Sequence, residues 1–205
     1  EREGTSVSVA HPDDIRKLRV LGSIGDLYLL AESPNGLVLI DQHAAHERIM
    51  FERLLAQARL QDGRTQGLLL PQSLELNAPD ATLLRQNRGQ LENLGFQVED
   101  FGPQSFLITG VPAHFPQTQV PTILRDLLDD LRELPNARRR ADEHEVAVAA
   151  CRAAVKAQDR LSGPEIAQLL SDLANSALPY TCPHGRPTMI ALSFAELERR
   201  FGRRH

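Results

Sequence analysis

Asp41, His43 and Glu47 lie close together where an apolar run gives way to good helix formers. His43 and Glu47 are one helical turn apart, so a helix that includes both carries them on one face. Asp41, at the end of the run, can turn its carboxylate to the same spot or cap the helix. Carboxylate and imidazole groups converging in this way suit a divalent cation. Glu52 is about 140° around the same helix from Glu47 and falls outside that shell. The plainer reading makes Asp41 a cap, His43 a first-turn residue and Glu47 with Glu52 a solvated face. The motif alone leaves both readings open.

A second cluster lies far along the chain, at Cys182-Pro183-His184-Gly185. A residue before proline is biased toward extended geometry, and alternate side chains of extended chain share a side. The thiol and imidazole are therefore expected to point together, as zinc ligands do; a buried thiol beside a surface histidine is the alternative. Cys151 sits in the Ala-rich stretch Ala149-Ala150-Cys151-Arg152. A lone helical cysteine is ordinarily a small buried apolar residue, and only the ligand character of Cys182 makes Cys151 a candidate. His144 is read as a surface residue.

The elements that must carry these groups follow from periodicity. Leu18 to Leu30 forms a strand-like stretch, and Ser33-Pro34-Asn35-Gly36 turns it into a second strand ending at Ile40. A helix is expected from His43 to Gln57, a loop from Gly63 to Gly67, and a short strand from Leu68 to Leu76 broken by Pro71. Asp80 to Leu94 reads as a helix with Asp80 as a fair N-cap and Gly95 as its stop. Strands follow at Phe96–Val98 and Ser105–Ile108. Helices are expected at Thr122–Leu134, Asp142–Leu161 and from Ser162 onward, with Pro135–Arg140 a polar break. A strand at Thr188–Leu192 and a helix capped by Ser193 close the chain. This mixture reads as α+β (mixed α/β). The block from about Thr65 to Val111 has its own strand-helix-strand-strand pattern, which points to an inserted subdomain.

Composition narrows the classes. The chain has 205 residues, 41% of them hydrophobic, enough to bury a core without staples. No apolar run approaches the roughly 20 residues of a membrane span, and no signal peptide pattern opens the sequence. Two cysteines exclude a disulfide scaffold and suit a reducing compartment. A net charge of −4 argues against a strongly basic nucleic-acid-binding domain. Glu1 stands where an initiator Met would be, which reads as a fragment of something longer.

Four motifs occur together in one order. They are Asp41-Gln42-His43-Ala44 with Glu47 and Glu52, Ala150-Cys151-Arg152, Cys182-Pro183-His184-Gly185-Arg186-Pro187, and Phe201-Gly202-Arg203. In this the sequence resembles the C-terminal dimerisation and endonuclease domain of nuclease-type bacterial MutL proteins. The resemblance implies a dimerisation subdomain with a small sheet, built from residues 18–62 and 180–205, and an outer regulatory subdomain with connecting helices at 63–179. Residues 1–17 would form a tail. It implies metal ligation by Asp41, His43, Glu47, Cys182 and His184 with Cys151 beside them, and catalytic roles for Asp41 and Glu47. It implies metal-dependent nicking of DNA in mismatch repair. Zinc and manganese are the expected ions, since thiolate and imidazole favour the first and phosphate chemistry a harder ion. Arg152, Arg186 and Arg203 are candidates for phosphate contact, with surface ion pairing the alternative for each.

The resemblance also gives meaning to Gln66-Gly67-Leu68-Leu69-Leu70-Pro71. It is similar to peptides that dock on the bacterial sliding clamp, with Gln66, Leu69 and Pro71 as contacts. The expected partners are a second copy, the sliding clamp, duplex DNA held weakly, and the mismatch-recognition protein MutS acting through the full-length protein. No ATP site is expected in this stretch, nor a membrane, and the resemblance implies a cytoplasmic, nucleoid-associated location. Arg138-Arg139-Arg140 and the Arg199–Arg204 cluster are too short for strong DNA binding alone. Two rival readings are a purely structural dimerisation module and a structural, non-catalytic zinc site.

Overall fold

The computed structural model describes residues 15–59, 65–113, 115–134, 140–155 and 161–203. Most of the expected N-terminal tail, the start of the Gly63 loop, the break at 135–139 with Arg138 and Arg139, and the stretch 156–160 lie outside the described residues. In chain order the elements are β1 (Arg19–Ile24), β2 (Tyr28–Ser33), β3 (Gly36–Asp41) and α1 (Gln42–Arg59). Then come β4 (Thr65–Glu75), α2 (Ala78–Leu94), β5 (Gln97–Asp100) and β6 (Ser105–Pro112). Helices α3 (Val120–Arg132), α4 (Glu143–Ala154) and α5 (Gly163–Asn175) precede β7 (Met189–Ser193) and α6 (Phe194–Arg200). The fold is α+β, and both of its sheets are antiparallel throughout.

The chain divides into two compact units. The first comprises residues 1–49 and 157–205. Its sheet has the order β1-β2-β3-β7. The single strand-like stretch expected at Leu18–Leu30 is in fact two strands. Gly25 and Asp26 have φ of +59° and +54°, and the Leu27 N–H donates to Ile24 O at 3.3 Å. Two consecutive left-handed residues make the mirror-image turn whose twist matches an antiparallel pair, and Gly and Asp are residues that tolerate it. At Gly36 (φ +151°) a Cβ would stand 2.1 Å from the Leu192 carbonyl oxygen, so β7 can lie beside β3 only because that side chain is missing.

Alternation along these strands buries one face. Leu29, Ala31, Val38, Ile40 and Met189 pack with Leu169, Leu170, Leu173 and Ala174 of α5. Helix α5 thus contributes to the core of the first unit; it falls within the stretch 63–179 that the resemblance gives to the outer subdomain and connecting helices. Its start is fixed by Glu165, whose carboxylate accepts from the Ser162 N–H at 2.8 Å and the Ser162 hydroxyl at 2.7 Å. The opposite sheet face is also apolar. Leu30, Leu39 and Ile190 are register neighbours across three strands, as are Leu37 and Leu192 across two. Within one chain Ile190 and Tyr28 are exposed and the leucines only partly covered.

The second unit, residues 50–156, holds a sheet of order β4-β6-β5. Its core gathers Leu74, Leu84, Leu91, Leu94, Phe96, Phe106 and Ile108. Along α3, Val120, Ile123, Leu124, Leu127, Leu128 and Leu131 are all buried, the i, i+3, i+4, i+7 stripe of a helix laid on a core. Truncating any of these leucines to alanine is expected to cost roughly 2–5 kcal/mol. The N-cap of α2 is Asn77, which accepts from the Asp80 N–H at 2.9 Å; Asp80, expected as the cap, stands in the first turn instead. Strand β4 begins at Thr65, earlier than the expected loop allows, and its pairing with β6 breaks between Gly67 and Gln72. Helix α4 ends at Ala154, short of the expected Leu161.

Candidate metal centre

Everything that builds this site belongs to the first unit. Strand β3 delivers the chain to α1, and the Ala44 N–H donates to Asp41 Oδ1 at 3.0 Å. Asp41 therefore caps the helix, satisfying one of its free N–H groups. One turn into α1, His43 Nε2 is 3.1 Å from Glu47 Oε1. Glu47 is completely buried. The solvated face allowed for in the plainer reading of the motif does not exist at Glu47.

The second cluster reaches Glu47 on a short, tightly bonded loop. Thr181 and Pro187 are bridged across it, and the Thr188 N–H donates to Tyr180 O at 3.1 Å. Its base is tied to β3, because Thr188 O accepts from the Asp41 N–H at 2.9 Å. Inside, the Gly185 N–H donates to Cys182 O at 3.0 Å and the Cys182 N–H to Arg186 O at 2.8 Å. This is a β-turn with Pro183 second and Gly185 fourth, positions those residues favour, and Gly185 is left-handed at φ +81°. The thiol and imidazole do come together, with Cys182 Sγ 4.0 Å from His184 Nδ1. They do so through the turn, not through the extended chain expected from Pro183.

These two segments meet at the Glu47 carboxylate. His184 Nδ1 is 3.3 Å from Glu47 Oε2. Among the described residues, one atom each from Glu47, Cys182 and His184 fall within 4.8 Å of one another. Ligands about 2.2 Å from a shared tetrahedral ion would be ~3.6 Å apart, so these spacings are of the right size. Glu47 Oε1 and His43 Nδ1 are buried and make no hydrogen bond; His43 Nε2 is near Glu47 Oε1 but poorly aligned to it. A buried carboxylate oxygen left without a hydrogen-bond partner is costly in a protein interior. Carboxylate oxygen, thiol sulfur and imidazole nitrogen together form a donor set that zinc accepts.

Two arginines hold the site together: Arg48, which the sequence does not mark, and Arg186, expected as a phosphate contact or in a surface ion pair. Arg48, itself buried, donates from Nε to Thr181 O at 2.5 Å and so ties α1 to the loop. Arg186 donates from Nη2 to Glu47 Oε2 at 2.9 Å. Its hydrogen bond to Cys182 and the charge of Glu47 raise its pKa above the usual arginine value, against partial burial. Nothing in the sequence marks Arg48, since its partner is remote in the chain.

The remaining candidates are not in the three-residue group. Cys151 is buried on α4, in the core of the second unit, and is not in the three-residue group. Glu52 also belongs to the second unit. Arg152 pairs with Asp130 at 3.2 Å, whereas Arg203 is exposed with its N–H bonded to Glu198 O at 2.8 Å. Gln66 and Pro71 are exposed on β4, and Leu69 is 96% exposed within the break in pairing.

Comparison with known proteins places the chain in a family. Residues 21–161 match the model of the MutL C-terminal dimerisation domain, and the chain belongs to that family. It is 46% identical to the DNA mismatch repair protein MutL of Symbiobacterium thermophilum, over 92% of this chain and 31% of that protein. It is 42% identical to the MutL of Pelotomaculum thermopropionicum, over 95% of this chain and 33% of that protein. The MutL of Geobacter sp. is 38% identical over 91% of this chain and 29% of its own length. The chain thus spans about a third of the length of these relatives.

Proposed function

We propose that this chain forms a homodimer and nicks DNA in mismatch repair, using a divalent metal held by Glu47, Cys182 and His184 with His43 and Asp41 beside them. The observation that carries the reading is Glu47: a fully buried carboxylate with an unbonded oxygen, surrounded by imidazole and thiol groups. When bound, a divalent cation lowers the pKa of a water toward neutrality and neutralises charge on a phosphate. The protein's share is to hold and orient. Glu47 supplies the negative charge, Cys182 and His184 supply softer donors, and the turn at 182–185 fixes their spacing. Asp41 anchors the first turn of α1 and is the candidate to orient the attacking water.

The apolar sheet face of Leu30, Leu37, Leu39, Ile190 and Leu192 is the surface through which two copies would pair. Burying it removes branched side chains from water, worth about 25 cal/mol per Å². The chain's acidity argues that DNA is delivered rather than captured, and the Gln66–Pro71 segment is the means proposed, as a sliding-clamp ligand. Its support is exposure, because an anchor residue must be free to enter a partner's pocket, and Leu69 is.

Nicking of supercoiled plasmid tests the reading. Activity should require added zinc or manganese and disappear in Asp41→Asn. The complete burial of Glu47 and near-complete burial of Cys182 also suit a closed structural zinc site. Tight metal binding with no nicking under any ion would establish that reading instead.

A further inference from the structure

Arg186 bonds to the carboxylate at the heart of the candidate metal centre. Its Nη2 donates to Glu47 Oε2 at 2.9 Å. Glu47 Oε2 is also the oxygen nearest His184 Nδ1, at 3.3 Å. An ion shared by Glu47, Cys182 and His184 would occupy the ground toward which the guanidinium now points. Two cations cannot share that carboxylate oxygen without strong repulsion in a partly dehydrated site.

The arrangement of Arg186 suits a group that moves. Its backbone is fixed, with the carbonyl accepting from the Cys182 N–H at 2.8 Å. Its side chain, by contrast, is 54% exposed while the partner Glu47 is 0% exposed. A long side chain rooted in a rigid turn can leave the carboxylate for solvent without disturbing the loop. The guanidinium carries its charge at every accessible pH, so it can balance Glu47 whenever the metal is absent.

We propose that Arg186 is the resident counter-cation of Glu47 in the metal-free site, and that metal entry requires its displacement. The chain's own arginine then competes with the metal and sets its affinity. This rests on the metal-centre reading above.

The test is zinc binding by the chelator-stripped full chain, measured by competition with a chromophoric chelator. Arg186→Gln removes the competitor and is expected to bind zinc about tenfold more tightly, the value of one charge-assisted hydrogen bond. Arg199→Gln removes the same charge from an exposed pair with Glu196 and should match the parent chain. Equal or weaker binding by Arg186→Gln overturns the proposal, because Arg186 would then be indifferent or would assist the metal. No zinc binding by the parent chain removes the metal centre itself, and the proposal with it. If Arg186→Gln does not fold, arginine side-chain NMR of the parent chain decides. One guanidinium signal should shift and lose exchange protection on addition of zinc; an unchanged spectrum overturns the displacement.

Discussion

His43 Nε2 and Glu47 Oε1 are 3.1 Å apart across one turn of α1, yet the carboxylate oxygen has no aligned donor. The pair faces inward where the segment 181–187 brings Cys182 and His184 to α1. Glu47→Gln keeps the shape and deletes the charge. Zinc affinity, read by the same chelator competition, should fall by about a hundredfold or more, beyond the 10–100-fold typical of losing a supporting partner. Unchanged affinity would remove Glu47 from the ligand set.

Pairing of two copies is checked at the centre of the apolar sheet face. Leu39 lies between Leu30 and Ile190 in register. Leu39→Glu puts a charge where a second sheet would pack, without touching the buried face of Leu29, Val38 and Ile40. Light scattering at micromolar concentration should show a dimer for the parent chain and a monomer for the variant. A parent chain that is monomeric there rules the interface out.

Clamp docking and chemistry should separate. Because Leu69 is solvent-exposed rather than packed, Gln66→Ala with Leu69→Ala should leave stability within about 0.5 kcal/mol. Affinity for the sliding clamp should drop roughly 30-fold or more, as for loss of an anchor residue. Metal-driven nicking without clamp should persist. Normal clamp binding by the double variant would make this segment an ordinary stretch of strand.

The cap of α5 carries a pH signature. Hydrogen bonds from Ser162 lower the pKa of Glu165 below its usual value. The folded state therefore favours the ionised form. The stabilisation is present above the ordinary carboxylate value and is lost as pH falls through the lowered one. Thermal melts across the acid range should show Glu165→Gln closing the gap to the parent chain as pH drops. A constant gap at every pH would mean that the charge does not matter.

What the sequence discloses depends on how local each signal is. His43 and Glu47 share a face because helical period is a property of neighbours, and that pattern is readable in one dimension. The stripe on α3 is legible for the same reason. The split of β1 from β2 is not, because apolar residues continue on both sides of Gly25-Asp26 and mask the turn. Cys182 and His184 reveal their proximity but not its cause, since Pro183 and Gly185 support a β-turn as readily as extended chain. The roles of Arg48 and Arg186 are invisible, as each depends on a partner more than a hundred residues away. Cys151 cannot be assigned from sequence, because a ligand-type residue and a small core residue are spelled alike.

The order in which the chain is made bears on the tie between Thr188 and Asp41. Glu47 leaves the ribosome before the second unit is made, while Cys182 and His184 come after it. Domains generally fold as they emerge, N-terminal parts first. Helix α1 must therefore wait with a carboxylate that cannot yet be enclosed, until β7 zips onto β3 and swings the 181–187 loop into place. A chain truncated between residues 157 and 181 would carry β1–β3 and the whole second unit but no three-residue donor set. The donor set is thus completed only after the whole second unit has been made, so its assembly depends on a segment that the chain separates by more than a hundred residues from Glu47.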